Sequence, residues 1–121
     1  MVESSSPVQV VQAHLDAINR GDISAALKVV SRDVVVRSDE MVDTGNDYAL
    51  YADYLHNLVA TNPAVKADLL DRMSLGEIVI DEIILVGLER GSFHAIIIYE
   101  IRRGQIADIR IIAETDGQMR E

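Results

Sequence analysis

His14 is the side chain whose sequence context best suits proton transfer. Its neighbours at helical spacing are all apolar: Val10, Val11, Ala17 and Ile18. This pattern predicts that the imidazole lies on the buried face of a helix, where burial keeps a histidine neutral near pH 7. Two interpretations follow. His14 is either a pocket-lining donor or general base, or a core histidine that is hydrogen-bonded to a backbone carbonyl.

Acidic side chains are the other candidates for acid–base chemistry. Asp81 and Glu82 adjoin within an apolar run. Successive side chains of a strand point to opposite faces, so at most one of the two reaches a pocket. A carboxylate there could act as an acid or base, or could pair with an arginine on a neighbouring strand: Arg72, Arg102 or Arg110. Asp39, at the end of the first predicted strand, is the second candidate, as an orienting carboxylate.

Two tyrosines and one arginine are predicted to line the same pocket. Tyr54 lies on a predicted helix and could present its hydroxyl at the pocket mouth, whereas Tyr48 and Tyr51 are expected in the core. Tyr99 is either a pocket hydroxyl or a packing aromatic residue, and Arg110 is the third expected lining residue. His94 and His56 are expected at the surface.

Charge and composition exclude several classes of protein. The three histidines lack the short spacing of metal ligands and the chain has no cysteine, so neither a metal site nor a cofactor is predicted. The formal net charge of −9 repels phosphate backbones and anionic lipids, so nucleic acid and membrane partners are not expected. Without a leader pattern or a membrane-length apolar run, a cytoplasmic protein is expected.

The elements that must position these residues begin with helices. Ser6, Pro7 and Gln9 form an N-terminal capping pattern, and Gly21 is a plausible terminator of the helix that follows. Further along, the pattern predicts a short helix over Ile23–Val30 and an extended segment over Val34–Ser38. It also predicts a third helix from Tyr48 to about Asn62, with Thr44 and Asp47 as a capping pair at its start.

Three apolar runs separated by glycine-bearing turns predict an antiparallel meander: Ile78–Leu88, Phe93–Ile101 and Gln105–Ala113. The segment Val65–Leu75 fits either a helix or a strand by its residues alone. With 49% apolar residues among 121, the chain can build one sizeable core, and a single domain over residues 1–121 is expected.

Three stretches resemble the nuclear-transport-factor-2-like superfamily, which includes SnoaL-like polyketide cyclases and ketosteroid isomerase: Val10–Ile23, Leu27–Val36 and Tyr99–Ile106. The resemblance implies an α+β cone, in which a curved mixed or antiparallel sheet carries three N-terminal helices on its concave face and encloses a pocket. It also implies that Val65–Leu75 is a strand, as in a SnoaL-like subgroup of uncertain function.

The resemblance also allows the site residues of known superfamily members to be compared with residues of this chain. His14 matches the position of a donor tyrosine in ketosteroid isomerase, and Ser38, with Asp39 one residue beyond, matches its base. The second donor position falls on apolar sequence near Ile97, so a complete isomerase site is not expected. Residue types of limonene-epoxide hydrolase are present without a matching motif: Tyr54, Asp81, Asp108 and Arg110.

Two hypotheses about function remain. In the first, the protein binds a small apolar molecule and possesses isomerase, cyclase or hydrolase chemistry, with His14 as the proton-transfer group and Asp39 or Asp81 as the orienting carboxylate. In the second, it is a non-catalytic homodimeric interaction module that associates through the outer sheet face of Ile83–Leu88 and Ala95–Ile101.

Overall fold

The chain forms helices at its N-terminal side and a strand meander at its C-terminal side. A computed structural model describes residues 6–38 and 46–113. The elements in these ranges are helices α1 (Pro7–Asn19), α2 (Ile23–Lys28) and α3 (Asp47–Thr61), and strands β1 (Val30–Ser38), β2 (Lys66–Leu75), β3 (Ile78–Leu88), β4 (Gly91–Arg102) and β5 (Gln105–Ala113). The strand assignment of the ambiguous segment is therefore confirmed.

Local chemistry explains where the helices begin and end. The Ser6 hydroxyl accepts from the Gln9 backbone N–H at 3.1 Å while the Gln9 side chain accepts from the Ser6 N–H at 2.8 Å, which closes a capping box. Gly21 follows α1 with a φ of 76°, the left-handed conformation that ends a helix. Helix α3 is capped by Asn46, which accepts from the Ala49 N–H; the predicted cap Thr44 lies outside the described residues.

The five strands form one sheet in the order β1-β5-β4-β3-β2. Strand β1 is parallel to β5, and the other pairs are antiparallel. Register shifts interrupt all four pairs, and such bulges bend strands and increase their twist. At the shift in β3, Gly87 has a φ of 79°, and a Cβ atom there would collide with the Ala64 carbonyl oxygen. Glycine at this bulge lets β3 pass close to the segment that precedes β2.

The helices cover one face of this curved sheet, which we call the inner face; the opposite side is the outer face. Buried side chains of α1, α3 and the inner face form the main core, including Val11, Leu55, Val79, Ile106 and Ile109. The predicted α+β class, with helices packed on a curved mixed sheet, is confirmed. No helix in the described ranges is both long and apolar enough to cross a membrane.

A bulge in β2 changes which side chains reach the inner face. Leu69 pairs with Ile83, but the next pairs are Asp71 with Glu82 and Arg72 with Asp81, so Leu70 is the extra residue. A regular strand would place Leu69 and Met73 on the same face, but the bulge reverses the alternation between them. As a result Arg72 lies opposite Asp81, and Met73 is exposed.

Candidate functional site

A small cavity lies between α1, α3 and the inner face of the sheet. Its volume is about 50 Å³. Most of its wall is aliphatic, with one phenylalanine and three tyrosines contributed by α3 and β4. The lining residues are Leu15, Ile18, Tyr51, Tyr54, Leu55, Leu58, Ala67, Ile83, Leu85, Phe93, Ala95, Ile97, Tyr99 and Ile111. The cavity therefore has an apolar wall in which the polar atoms belong to tyrosine side chains and the backbone.

A wider groove of about 230 Å³ adjoins the cavity at the C-terminal end of α3. Four residues border both spaces: Tyr54, Leu58, Leu85 and Phe93. The outer part of the groove is polar, with Thr61, Asn62, Glu89 and Arg90 at its rim. The Asn62 side chain also accepts from the Glu89 backbone N–H at 2.9 Å, which joins α3 to the turn between β3 and β4.

His14 is fully buried and both of its ring nitrogens have partners. Nδ1 lies 2.9 Å from the Ala26 carbonyl oxygen, and Nε2 lies 2.8 Å from the Tyr51 hydroxyl. Burial lowers the pKa of His14 to about 4, and the hydrogen bond with Ala26 offsets only part of this effect. The imidazole is therefore neutral near pH 7, and it links α1, α2 and α3.

Tyr51 and Tyr99 surround His14 with aromatic rings. Tyr51 stacks on the imidazole at 5.9 Å between centroids, and Tyr99 meets it edge-on at 6.2 Å. Burial raises the pKa of Tyr51 well above its usual value, and burial together with the nearby Asp81 carboxylate raises the pKa of Tyr99. Both phenols therefore keep their protons at any physiological pH.

A charged cluster stabilises the contact between α1 and the inner face. The Arg72 guanidinium donates to both Asp81 oxygens, with Nε at 2.6 Å and Nη2 at 2.9 Å. Its Nη1 donates to the Gln12 side-chain oxygen at 2.7 Å. Asp81 is 0% exposed, and its hydrogen bond to Arg72 raises the pKa of the guanidinium. Of the two interpretations of Asp81, the structure shows the ion pair with a neighbouring strand.

The five predicted site residues that the structure describes separate into three groups. Tyr54 and Tyr99 line the cavity, whereas His14 and Asp81 are buried behind its wall and are not among the lining residues. Arg110 is exposed and lies across from Ile98 on the outer face, so its predicted place in the pocket is wrong: the period-2 alternation of β5 turns it away. Asp39 lies outside the described residues.

The role of Tyr51 goes beyond the core position that the sequence predicts for it. Tyr51 lines the cavity and also holds His14. Helical spacing placed Tyr51 and Leu55 on one face of α3, which indicated burial but not a polar partner on another helix. On the outer face Glu82 contacts His94 at 2.7 Å, so Asp81 is the inner member of the acidic pair. No metal-binding cluster of His, Asp or Glu occurs within residues 6–38 and 46–113.

The class of protein follows from this architecture. A curved five-stranded sheet with helices on one face and an apolar cavity beneath them is the cone-like α+β fold of nuclear-transport-factor-2-like proteins. The chain belongs to the family of the SnoaL-like domain, whose family model matches residues 11–109. The resemblance inferred from the sequence is confirmed.

Solved structures share this fold at low sequence identity. An NTF2-like protein of unknown function from Cytophaga hutchinsonii matches with a TM-score of 0.81 and 13% identity, over 98% of this chain and 99% of that one. A candidate polyketide cyclase from Pseudomonas putida matches with a TM-score of 0.73 and 18% identity, over 94% of this chain and 96% of that one. IdmH, a candidate polyketide cyclase from Streptomyces antibioticus, matches with a TM-score of 0.78 and 15% identity, over 95% of this chain and 96% of that one. No curated protein sequence matches this chain.

Proposed function

We propose that this protein binds a small, largely apolar molecule in the cavity between α1, α3 and the inner face. One observation carries the proposal: the cavity wall is aliphatic and aromatic, and its polar groups belong to three tyrosines. Ligand sites of proteins commonly combine an apolar wall with a few fixed polar groups. None of the lining residues is charged, so a charged ligand group in the cavity would have no partner of opposite charge. Because burying such a charge is costly, the buried part of the ligand is uncharged.

The size of the two spaces supports a ligand that extends from the cavity into the groove. Ligand pockets usually measure about 300–1,000 Å³, which exceeds the 50 Å³ of the cavity alone. Tyr54 and Phe93 are half-buried and border both spaces, so rotation of these side chains would join the cavity to the groove. The polar rim of the groove would then contact the solvent-facing end of the molecule.

The pKa values of His14 and its partner Tyr51 favour binding over proton transfer by His14. Burial lowers the pKa of His14 to about 4 and raises the pKa of its partner Tyr51. Near neutral pH the imidazole therefore stays neutral and the Tyr51 hydroxyl keeps its proton. An isomerase, cyclase or hydrolase activity would need a further acid or base, for which Asp39 is the sequence-based candidate. The candidate polyketide cyclases of similar fold support a polyketide-like ligand.

Filling the cavity tests this proposal. Ala95 is 2% exposed and lines the cavity, so Ala95→Val places two additional methyl-sized groups there at a strand position that suits valine. We expect binding of the neutral fluorescent probe N-phenyl-1-naphthylamine to weaken about tenfold, from the loss of roughly two buried methylene equivalents. Titration of probe fluorescence measures the change.

Ala107→Val is the matched control for Ala95→Val. Ala107 is half-buried on β5 but does not line the cavity, so this variant is expected to bind the probe like the unmodified protein. Equal affinities of the unmodified protein and Ala95→Val would contradict binding in the cavity. Native mass spectrometry of freshly purified protein provides an independent test, because it detects any retained small molecule.

A second candidate function is homodimeric association through the outer face. Several large apolar side chains on this face are exposed: Val35, Met73, Ile96 and Ile112, at 42%, 65%, 39% and 48%. Contiguous exposed apolar surface commonly marks an interaction site, and a two-fold dimer covers the same patch on both subunits. This function is compatible with one ligand site per subunit.

Charges placed on the outer face test the association. We expect the unmodified protein to be a dimer at micromolar concentration by light scattering, and the double variant Ile96→Asp with Ile112→Asp to be a monomer. Like charges brought together across a two-fold axis, together with lost apolar burial, provide the physical reason. Ser24→Asp on the exposed surface of α2 is the control and should remain a dimer. A monomeric unmodified protein would contradict homodimeric association as the function.

A further inference from the structure

The hydrogen-bond geometry of His14 determines which of its nitrogens carries the proton. Nδ1 lies 2.9 Å from the Ala26 carbonyl oxygen, which can only accept, so Nδ1 must be the protonated donor. The pKa of His14, lowered by burial to about 4, keeps the ring neutral at pH 7, so Nε2 has no proton. Nε2 is therefore an acceptor, and the Tyr51 hydroxyl 2.8 Å away is its donor.

This arrangement uses the single hydroxyl proton of Tyr51. A tyrosine hydroxyl has one proton to donate and lone pairs that can accept. Since the proton is directed at His14, only the lone pairs of the Tyr51 oxygen are left for another molecule. Tyr51 also lines the cavity. Of the three tyrosines that line the cavity, Tyr51 can therefore accept a hydrogen bond from a ligand but cannot donate one.

We propose that the cavity selects small apolar molecules that carry a neutral hydrogen-bond donor, such as a phenol or alcohol hydroxyl, and that this group donates to the Tyr51 oxygen. The inference rests on the proposed binding function and narrows its ligand class. An ether or ketone at the same place would bring its own lone pairs against those of Tyr51. Such a ligand has no proton to donate to these lone pairs, so it would gain no hydrogen bond from Tyr51.

Neutral donors fit this cavity better than cationic ones. An ammonium group would also donate to Tyr51, but none of the residues that line the cavity is an acid that could neutralise its charge. The buried carboxylate of Asp81, which is not among the lining residues, is already paired with both Nε and Nη2 of Arg72. A hydroxyl therefore meets the requirement at the lowest desolvation cost.

A pair of probes that differ in one donor tests the inference. Binding of 4-propylphenol and of its methyl ether, 4-propylanisole, is measured by isothermal titration calorimetry with the unmodified protein and with Tyr51→Phe. We expect the unmodified protein to prefer the phenol, and the ratio of the two affinities to fall roughly two- to tenfold in Tyr51→Phe, the worth of one hydrogen bond. Comparing ratios removes the general effect of the variant on both probes.

The outcomes separate this inference from the proposed function. If neither probe binds the unmodified protein, the proposed function and the inference both fail. If both probes bind and the ratio is the same in Tyr51→Phe, cavity binding stands and the role of Tyr51 as acceptor is overturned. Should Tyr51→Phe not fold, side-chain ¹⁵N NMR of the unmodified protein decides: an Nε2 that carries a proton at pH 7 would overturn the inference, and an unprotonated Nε2 supports it.

Discussion

Replacing Arg72 with methionine is expected to lower the free energy of unfolding by about 3–5 kcal/mol, the usual cost of leaving a buried charge without its partner. The guanidinium makes two hydrogen bonds to Asp81, at 2.6 and 2.9 Å, and Asp81 is 0% exposed. Methionine retains much of the apolar stem of arginine but provides no donor. Urea unfolding followed by circular dichroism measures the change.

Two further variants distinguish the charge effect from the loss of packing. Arg72→Met combined with Asp81→Leu removes both charges, and since apolar replacement of a buried ion pair is often neutral or stabilising, we expect most of the stability to return. Arg37→Met breaks the pair of Arg37 with Asp108, in which the arginine side chain is 59% exposed, and should cost at most about 1 kcal/mol. Equal losses in Arg72→Met and Arg37→Met would contradict the assigned role of the buried pair.

The helices and strands could be predicted because local chemistry marks their ends. The capping box at Ser6, the left-handed Gly21 and the glycine turns before β4 and β5 act on their immediate neighbours, so the sequence displays them directly. The residues of β2 did not decide between a helix and a strand, because its apolar positions fit both the 3.6-residue period of a helix and the two-residue period of a strand. The family resemblance supplied the answer, because the corresponding segment is a strand in that family.

The candidate site was less predictable because its key contacts join residues far apart in the chain. His14 and Tyr51 are 37 residues apart and meet only after α1 and α3 pack together. Burial of His14 followed from its apolar neighbours, but the partner of Nε2 did not. Similarly, the pairing of Arg72 with Asp81 depends on the extra residue in β2, since without this bulge the arginine would point to the outer face.

Stability is expected to decrease by roughly 3 kcal/mol between pH 7 and pH 4 because of His14 alone. The pKa of His14 is about 4 in the folded protein and 6.5 in the unfolded chain. Between these values the unfolded chain binds a proton that the folded protein does not, so lowering the pH favours unfolding. The full contribution is present above pH 6.5 and lost as the pH falls to about 4, at about 1.4 kcal/mol for each pKa unit.

The measurement compares unfolding free energies in urea at several pH values for the unmodified protein and for His14→Gln. Carboxylates add their own pH dependence, but they are common to both proteins, so the difference between the two curves isolates His14. Glutamine does not titrate, and the difference should therefore change by roughly 3 kcal/mol across this range. His56→Gln, which replaces an exposed histidine of α3, is the matched control and should follow the unmodified protein. Parallel curves for His14→Gln and the unmodified protein would show that His14 takes up its proton equally in both states, and would remove the neutral imidazole on which the acceptor role of Tyr51 depends.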